Sequence, residues 1–397
     1  MSTKIRIGVI FGGKSAEHEV SVITGIQVLN NLDSEKYEII PIYVSKKGMW
    51  YTNQTFFKPD AFKNLNELEN NNPEFGLLPL PLKNELHSIA ERSFFKKEVN
   101  KVVDVFYPCF HGGVGENGSF QGLCEMAEIP YVGSGVLGSA AGMDKIAMKH
   151  IFVGSNLPVA TFSWFYRTDW QSNPQQVIKK LEKELNYPVF VKPANAGSSI
   201  GIAKAGTQEE LSNAIEVALF YDRKVIVEEA FTYTKEINIS VMGNSGGTLQ
   251  VSACEQVAGS ADFLTYDDKY KSEGGKSSGM ASTKRIVPAP IEEENRKLIE
   301  DLAKKAFEAL DCAGLVRIDF LLDENTNKAI IIEVNTIPGS MAFYLWQASD
   351  VSFSDLNNNL VELAIQRGEE SKKNLTTFST NLLETFSPSL KSPKLNQ

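Results

Sequence analysis

The 397-residue sequence has little cysteine and little histidine, with four residues of each. Neither a CxxC pair nor a zinc-ligand spacing occurs among them, so a zinc site is not indicated. Cysteines scattered in this way are typical of reduced, buried thiols, which predicts a cytoplasmic location. The sequence also lacks an apolar run long enough to span a bilayer, so we expect no membrane insertion.

Basic residues are outnumbered by acidic ones. The chain has 40 lysines and arginines against 49 aspartates and glutamates, which gives a net charge of −9. This balance argues against a nucleic-acid surface. It does not exclude a phosphate ligand, because a few lysines or a magnesium ion can reverse the field locally. The length predicts two or three domains.

The first strand pattern is not followed by the full GxGxxG turn of a dinucleotide fold, and the glycine-rich loop after Lys192 does not have the P-loop spacing GxxxxGK[ST]. The first strand pattern, residues 4–11, is instead followed by Gly12-Gly13, a helical pattern and a second strand pattern at 37–44. This order predicts a parallel sheet covered by helices. Glu17 lies at the end of the first strand, where α/β folds bind ligands. Residues 50–100 are rich in Asn, Lys, Glu and Pro, and we expect a surface insertion there.

Two later strand patterns also end in glycine-rich turns. Residues 102–107 lead to His111, which on local sequence is as consistent with the cap of a turn as with a ligand site. Residues 188–192 lead to Lys192 and then to a Gly-Ser-Ser-Ile-Gly run at 197–201. Small residues let backbone N–H groups approach an anion, and Lys192 adds positive charge. A structural hairpin is the alternative, but the lysine favours phosphate binding.

The clearest pattern for a metal site is a predicted β-hairpin over residues 315–334, with two apolar strands and a turn-rich loop. Because side chains alternate along a strand, Arg317 and Asp319 share one face. Glu333 and Asn335 share a face of the partner strand. The carboxylates and the amide are hard oxygen ligands, which Mg²⁺ prefers. A solvated polar face is the alternative, but the flanking residues are so apolar that buried carboxylates there need partners.

A long polar segment, residues 258–285, contains many glycines and lysines. A loop of this length inside a compact enzyme is typically a lid or a disordered segment. Lys269 and Tyr270 lie at its centre, and aromatic residues beside lysine favour closure over a ligand. Glu228 and Glu236, in the strand patterns before it, are able to bind an amino group or ribose hydroxyls. Solvated side chains are the alternative for both.

Seven motifs carry a family resemblance, and they are FGGKSAEHEVS (11–21), HGGVGENGSFQG (111–122), GSGVLGSAAGMDK (133–145), VKPANAGSSIG (191–201), YDDKY (266–270), VRIDF (316–320) and IEVNTIPG (332–339). In this order and spacing the sequence resembles the D-alanine–D-alanine ligases of the ATP-grasp superfamily. The resemblance covers residues 4–365. It implies an α/β ATP-grasp fold, with an N-terminal parallel α/β domain and two α+β domains that sandwich ATP.

The domain division follows from the same resemblance. Residues 1–138 would bind the first substrate, 139–228 would form a small central ATP-grasp domain, and 229–370 a C-terminal ATP-grasp domain with the lid and the Mg²⁺ site. The tail, 371–397, is rich in Ser, Thr, Asn and Lys, and we expect it to be weakly ordered. The family's habit implies a homodimer.

The resemblance assigns ATP binding to Lys145, Lys192, Gly197, Ser198, Ser199, Glu228, Glu236 and Lys269. Two Mg²⁺ ions, replaceable by Mn²⁺, would be held by Asp319, Glu333 and Asn335. Lys145 taken alone reads as an ordinary solvated lysine, so its role depends wholly on the resemblance.

Substrate roles are also implied. Glu17 would bind the ammonium of the first D-alanine and would form a hydrogen-bonded set with Ser198 and Tyr270. His111 would lie near the same substrate, and Lys269 would reach the γ-phosphate. An oxyanion hole would consist of Arg317 and the backbone N–H of Gly339.

The implied reaction joins two D-alanines through an acyl phosphate, for peptidoglycan precursors. The sequence departs from the family after Gly339, where Ser340 opens an unusual stretch. Tyr344 stands where many members have a serine that holds the acceptor's carboxylate. The acceptor therefore stays open between D-alanine, D-lactate, D-serine and other molecules. A nucleotide-binding regulator without chemistry is a further alternative, against which the intact charged set argues.

Overall fold

Three β-sheets, each covered by helices, organise the residues that the computed structural model describes, which are 4–81, 84–89, 101–257, 285–377 and 379–385. The first sheet has the strand order β6-β5-β4-β3-β2-β1-β7. Its strands are β1 (Ile5–Gly12), β2 (Tyr37–Val44), β3 (Trp50–Tyr51), β4 (Glu74–Leu77), β5 (Glu85–Ser88), β6 (Lys101–Val102) and β7 (Val105–Pro108). β1 pairs in parallel with β2 and with β7, whereas the pairs from β2 to β6 are antiparallel.

Residues 50–100 contribute more than the expected surface insertion. Their described part supplies three antiparallel strands and buries Tyr51, Phe56, Phe75 and Leu86. A polar composition hid these apolar anchors, which are spaced too widely to give a clear period. The region also contains helix α2 (Leu65–Asn71) and two 3₁₀ turns, Gln54–Phe57 and Pro59–Phe62.

The strand predicted at 102–107 is confirmed over 105–107 by β7, but it is not continuous, because Val103 and Asp104 separate β6 from β7. Asp104 accepts hydrogen bonds from Arg6 Nε at 2.8 Å and from a terminal guanidinium nitrogen of Arg6 at 2.7 Å. The backbone N–H of Arg6 donates to the same carboxylate at 2.9 Å. These three hydrogen bonds hold Asp104 against the edge of β1, and β7 begins at the next residue.

The second sheet is antiparallel, with the order β10-β9-β11-β8. Its strands are β8 (Phe162–Tyr166), β9 (Val189–Pro193), β10 (Ala203–Ala205) and β11 (Lys224–Glu229). Helices α6 (Arg167–Ser172), α7 (Pro174–Glu184) and α8 (Gln208–Tyr221) belong to this unit. Asn173 caps α7 and Thr207 caps α8, and each side chain accepts the backbone N–H of the third residue of its helix. The buried faces of α7 and α8 pack with the sheet in one core.

The third sheet carries the predicted hairpin, which is confirmed. Its order is β15-β14-β12-β16-β17, with β13 paired to β12. The strands are β12 (Lys235–Asn244), β13 (Gln250–Val251), β14 (Glu255–Val257), β15 (Arg285–Ile286), β16 (Ala313–Asp323) and β17 (Lys328–Asn335). Helix α9 (Glu293–Ala309) packs on the apolar face of this sheet.

The remaining helices connect the sheets. They are α1 (His18–Asn31), α3 (Ser119–Ala127), α4 (Val136–Met143), α5 (Lys145–Gly154), α10 (Phe343–Gln347), α11 (Phe353–Ser371) and α12 (Leu382–Thr385), with 3₁₀ turns at Gly113–Gly115 and Gly339–Ala342. Asp144 separates α4 from α5 and caps α5 by accepting the N–H groups of Ile146 and Ala147.

The first and third sheets share one hydrophobic core, whereas the second sheet has its own. Leu315 and Trp346 belong to the same cluster as Phe106, and α11 adds further residues to it. The Tyr107 hydroxyl donates to Asn357 on α11 at 2.8 Å. The core between the second sheet and helices α7 and α8 comes wholly from residues 165–227.

The predicted domain boundaries at 138 and 228 stay a prediction. In the tail, α11 continues to Ser371 and α12 follows, while residues 386–397 lie outside the described residues. In the described part of the chain, no helix has both the length and the apolar character needed to cross a membrane.

Candidate active site

The polar face of the third sheet forms the floor of the site. Residues that lie opposite each other in antiparallel strands point to the same side. Arg317 lies opposite Ser240 on one side and Asn335 on the other, and Asp319 lies opposite Asn238 and Glu333. The intervening residues, such as Ile318, are buried in the core below. The pairing of β16 with β12 on one side and with β17 on the other therefore places Arg317, Asp319, Glu333 and Asn335 together above one apolar layer.

Arg317 and Asp319 form a buried, bidentate ion pair. Arg317 Nε donates to Asp319 Oδ1 at 2.7 Å, and a terminal nitrogen donates to Oδ2 at 2.8 Å. Asn335 Nδ2 donates to the same Oδ2 at 3.1 Å. Although burial opposes the charge, Asp319 holds the pKa of the Arg317 guanidinium above its ordinary value. The guanidinium is thus kept charged, and its two hydrogen bonds hold it in one orientation.

Lys145 reaches the same floor from the start of α5. Its backbone N–H donates to the carbonyl of Ala194 at 3.0 Å and not to a carbonyl of α4, so a separate helix, α5, begins at Lys145. The Nζ donates to the carbonyl of Ala196 at 2.8 Å and lies 3.2 Å from Glu333 Oε1. Lys145 therefore links the glycine-rich loop to the predicted metal ligands.

The donor set fits Mg²⁺. Asp319, Glu333 and Asn335 offer only oxygen to a cation, and each carboxylate lies against a positive side chain. Among the described residues no group of three His, Cys, Asp or Glu side chains forms a metal cage. Mg²⁺ is usually bound by one or two carboxylates together with substrate phosphates, so a complete protein cage is not required.

A register shift in the hairpin divides β17 into a part with polar side chains and a part with apolar side chains that face a cavity. Asp319 lies opposite Glu333, but Phe320 lies opposite Ile331, so Ile332 is the extra residue of a β-bulge. Ile331 is fully buried in the core, while Ile330 and Ile332 line a cavity. The bulge lets one strand present polar ligands at one end and an apolar wall at the other.

Two cavities meet above this floor. A cavity of about 590 Å³ lies between the second and third sheets, and Lys192, Glu228 and Ile332 line it. A smaller one of about 110 Å³ adjoins the first sheet. Lys145, Ala196, Glu236, Val257, Asp319 and Glu333 line both. The two cavities therefore form one cleft, with a larger, partly apolar end and a smaller, polar end.

Glu17 and the glycine-rich loop close the polar end. The Ser198 hydroxyl donates to Glu17 Oε1. A Cβ added to Gly197 would lie 2.8 Å from Glu17 Oε2, so only glycine allows this approach. Ser198 and Ser199 both have positive φ, at 51° and 60°. Non-glycine residues in this region store strain, which is concentrated at binding sites.

At the larger end, Lys192 Nζ donates to Glu228 Oε2 at 3.0 Å. Ser199 and Glu236 also line the cavity. A lysine, two glutamates and aliphatic side chains are suited to a ligand with an apolar ring, hydroxyls and phosphates.

Profile comparisons decide the family. Residues 6–134 match the family model described as D-ala D-ala ligase N-terminus, and residues 151–362 match D-ala D-ala ligase C-terminus. The chain belongs to the D-ala D-ala ligase family. The resemblance inferred from the motifs and the ATP-grasp fold class are both confirmed, and the family is ATP-dependent.

Individual ligases agree with this assignment. The chain is 42% identical over 376 residues to the D-alanine--D-alanine ligase of Bacillus velezensis, covering 93% of this chain and all of that protein. It is similar in structure to the D-alanine-D-alanine ligase from Coxiella burnetii, with a TM-score of 0.76, 27% identity and coverage of 93% and 96%. It also resembles the VanG D-Ala:D-Ser ligase from Enterococcus faecalis, with a TM-score of 0.75, 30% identity and coverage of 91% and 100%.

In this member of the ligase family, His111 belongs to a buried chain of hydrogen bonds. Its Nε2 lies 2.9 Å from the Thr24 hydroxyl, which accepts the backbone N–H of Ser340 at 3.1 Å. Burial lowers the pKa of His111 to about 4, so the imidazole is neutral near pH 7. His111 and Gly339 line the polar end of the cleft.

Ser340 and Tyr344 do not line either cavity. Ser340 is buried and begins a left-handed turn, with φ of 52°, 53° and 45° from Ser340 to Ala342. Arg285 lies over the Tyr344 ring, 4.7 Å from its centroid, and Arg285 lines the cleft. In this ligase Tyr344 thus supports an arginine of the cleft.

Glu116 is a cleft residue that the sequence reasoning missed. It lines the polar end and accepts the N–H of Gly112 at 2.7 Å. Burial and the nearby Glu17 raise the pKa of its carboxyl to about 8. The signal was present as an acid after the His-Gly-Gly turn. Lys269 and Tyr270, which were expected to act from the lid, lie outside the described residues.

Proposed function

We propose that this chain joins two D-alanines into D-alanyl-D-alanine at the expense of ATP, for peptidoglycan precursor synthesis. The observation that carries this proposal is the single cleft that joins a lysine-lined nucleotide end to a carboxylate-lined substrate end. Curated relatives named D-alanine--D-alanine ligase, at about 40% identity over nearly the whole chain, support the same activity.

The residues divide the chemistry between them. Glu17 binds the ammonium of the first D-alanine, and Lys145, Lys192 and the loop at 197–201 hold the phosphates. The carboxylate of the first D-alanine attacks the γ-phosphorus and ADP leaves, which gives an acyl phosphate. The amine of the second D-alanine then attacks the acyl carbon, loses a proton and displaces phosphate.

Arg317 and the N–H of Gly339 stabilise the oxyanion of that second step. Both groups line the polar end of the cleft, and Asp319 fixes the guanidinium by two hydrogen bonds. A preorganised donor of this kind contributes about 3 kcal/mol to transition-state stabilisation. Ser198, bound to Glu17, keeps the loop closed and water away from the acyl phosphate.

Asp319, Glu333 and Asn335 hold Mg²⁺, with two ions in the complete site and Mn²⁺ as a substitute. When bound, the metal neutralises the charge of the transferring phosphoryl group. Glu228 and Glu236 contact the adenine side and the ribose. Lys269 and Tyr270 act from the lid.

The assembly and location belong to the same proposal. The chain is a cytoplasmic homodimer, with domains at 1–138, 139–228 and 229–370. Sedimentation of the purified protein tests the dimer, and a monomer at micromolar concentration would contradict it.

A second acceptor is the alternative function, favoured by Tyr344 and by the similarity to a D-Ala:D-Ser ligase. The test is ADP release with ATP and Mg²⁺, with D-alanine alone or paired with D-serine or D-lactate, and products identified by mass spectrometry. D-alanyl-D-alanine as the main product supports the proposal. A product only with D-serine or D-lactate supports the alternative, and ADP release that never depends on a D-amino acid refutes both.

A further inference from the structure

Lys149 is a fully buried lysine that the proposed chemistry does not use. It lies one turn after Lys145 on α5 and has no exposed surface. Its Nζ is 3.4 Å from Glu228 Oε1, while Glu228 Oε2 accepts from Lys192 Nζ at 3.0 Å. Among the described residues, Lys149 Nζ makes no hydrogen bond. One carboxylate is thus held between two ammonium groups.

The charges of this cluster do not balance. Two lysines and one glutamate leave a net charge of +1 beneath the nucleotide end of the cleft. Burial raises the pKa of Glu228, but Lys149 and Lys192 outweigh it and keep that pKa below its ordinary value. Burial lowers the pKa of Lys149, and Glu228 opposes that shift. The surplus charge favours an anion at the open side, where Lys192 lines the cavity.

The two lysines differ in access. Lys192 retains 11% of its side-chain exposure, whereas Lys149 has none. Only Lys192 can therefore reach a ligand. If Lys192 moved to a phosphate without Lys149 present, Glu228 would remain as a buried carboxylate with no counter-ion, at a large cost.

We propose that Lys149 is a positioning residue, which serves as the permanent counter-ion of Glu228 and so frees Lys192 to bind a nucleotide phosphate. The inference rests on the proposed role of Lys192 in ATP binding. It predicts that Lys149 affects the phosphate-dependent part of nucleotide affinity and not the part due to the nucleoside.

The test is a double-mutant cycle read by titration calorimetry. Lys149→Met, Glu228→Gln and the double variant are titrated with Mg·ADP and with adenosine, beside the wild type. Methionine keeps the length of the buried stem and removes the charge. Lys183→Met, at an exposed position on α7, is the matched control for loss of one lysine.

Lys149→Met is expected to weaken Mg·ADP binding by about tenfold or more. In this variant Lys192 is the only counter-ion of Glu228 that remains in the described part of the chain, so its move to a phosphate would leave a buried carboxylate unpaired. Adenosine affinity should change by less than about threefold. In the Glu228→Gln background the same lysine change should cost less than about threefold for Mg·ADP, because no buried carboxylate then needs a counter-ion. Lys183→Met should match the wild type.

The proposal is overturned if Lys149→Met binds Mg·ADP as the wild type does, or if adenosine weakens equally. It is also overturned if the loss is as large in the Glu228→Gln background. If Lys149→Met alone does not fold, the comparison of Glu228→Gln with the double variant still decides. A wild type that binds no Mg·ADP would instead refute the proposed function.

Discussion

Two clusters face each other across the cleft and are built differently. On the floor, Arg317 and Asp319 project from β16, which has a hydrogen-bonded strand on each side, and Glu333 projects from the edge strand β17, which pairs with β16. On the opposite wall, Glu17 and Ser198 follow strand ends and lie in turns. Strands fix side chains where charge must be neutralised with little reorganisation. Turns carry the residues that must open for a substrate and close behind it.

The clusters also differ in charge. Each carboxylate of the floor already has a cation, since Asp319 lies on Arg317 and Glu333 near Lys145. On the wall, Glu116 lies near a second acid, Glu17, and its carboxyl pKa is raised to about 8. The wall therefore gains from an arriving ammonium, whereas the floor gains from a metal ion accompanied by phosphates.

The largest effect is expected at the floor. Arg317→Lys keeps the charge but loses the fork on Asp319, so kcat for D-alanine-dependent ADP release should fall by about 10²–10³. The chain offers a matched control in Arg6, which forms an equivalent fork on Asp104 outside the cleft. Arg6→Lys should change kcat by less than about twofold. Equal losses in both variants would show that the fork serves folding and not chemistry.

On the wall, a single added methyl should act through crowding. Gly197→Ala places a carbon 2.8 Å from Glu17 Oε2, and we expect the KM for the first D-alanine to rise by about 10². Gly122→Ala is the control, because its Cβ would meet nothing within 4 Å. Steady-state kinetics at saturating ATP provide the measurement. An unchanged KM would mean that Glu17 moves freely and that the wall is less constrained than its geometry indicates.

The stability of the fold should depend on pH through His111, which lines the polar end of the cleft. The folded pKa of His111 is about 4, below its ordinary 6.5, so the unfolded chain binds more protons between these values. The contribution of His111 to stability is then lost as pH falls from 6.5 toward 4, by about 2 kcal/mol at pH 5. Glu116, whose carboxyl pKa is raised to about 8, acts in the opposite direction, so the measurement is the difference between two proteins. Denaturant unfolding at pH 7 and pH 5 should show that the wild type loses about 2 kcal/mol relative to His111→Gln, in which Glu116 is unchanged. The exposed His150→Gln should show the wild-type pH dependence, and the pH dependence of His111→Gln in that variant would contradict the assignment.

The smallest effect is expected at Tyr344, which lies under Arg285 and lines neither cavity. Tyr344→Phe keeps the ring under Arg285 and removes only the hydroxyl. The ratio of D-alanine to D-serine incorporation, read by mass spectrometry, should change by less than about threefold. A change above tenfold would place the hydroxyl in contact with the acceptor.

Strand alternation allowed most of the floor to be predicted. Apolar residues at every second position made the facing of Arg317 and Asp319 readable from the sequence alone. The bulge at Ile332 could not be read, because three consecutive isoleucines give no sign of which one is extra. The family resemblance supplied Lys145, whose position depends on Ala194, nearly fifty residues away in the chain.

Features that depend on partners distant in sequence could not be predicted from the sequence. The break at Asp144 requires knowledge of β9, and the split after Val102 requires Arg6. Lys149 reads as an ordinary helical lysine, since nothing nearby in sequence shows that Glu228 comes to meet it. Long-range pairing of this kind leaves no periodic signal.

The shared core of the first and third sheets has a consequence for biosynthesis. Tyr107 meets its hydrogen-bond partner Asn357 only after 250 further residues have been added. At about 5–20 residues per second, that interval is roughly 12–50 s, during which the first sheet lacks part of its core on the ribosome. The unit at 165–227 needs no later residue for its core and can fold as it emerges. The nascent chain should therefore mature from its middle outward, and truncation before α11 should leave the amino-terminal part as a chaperone client.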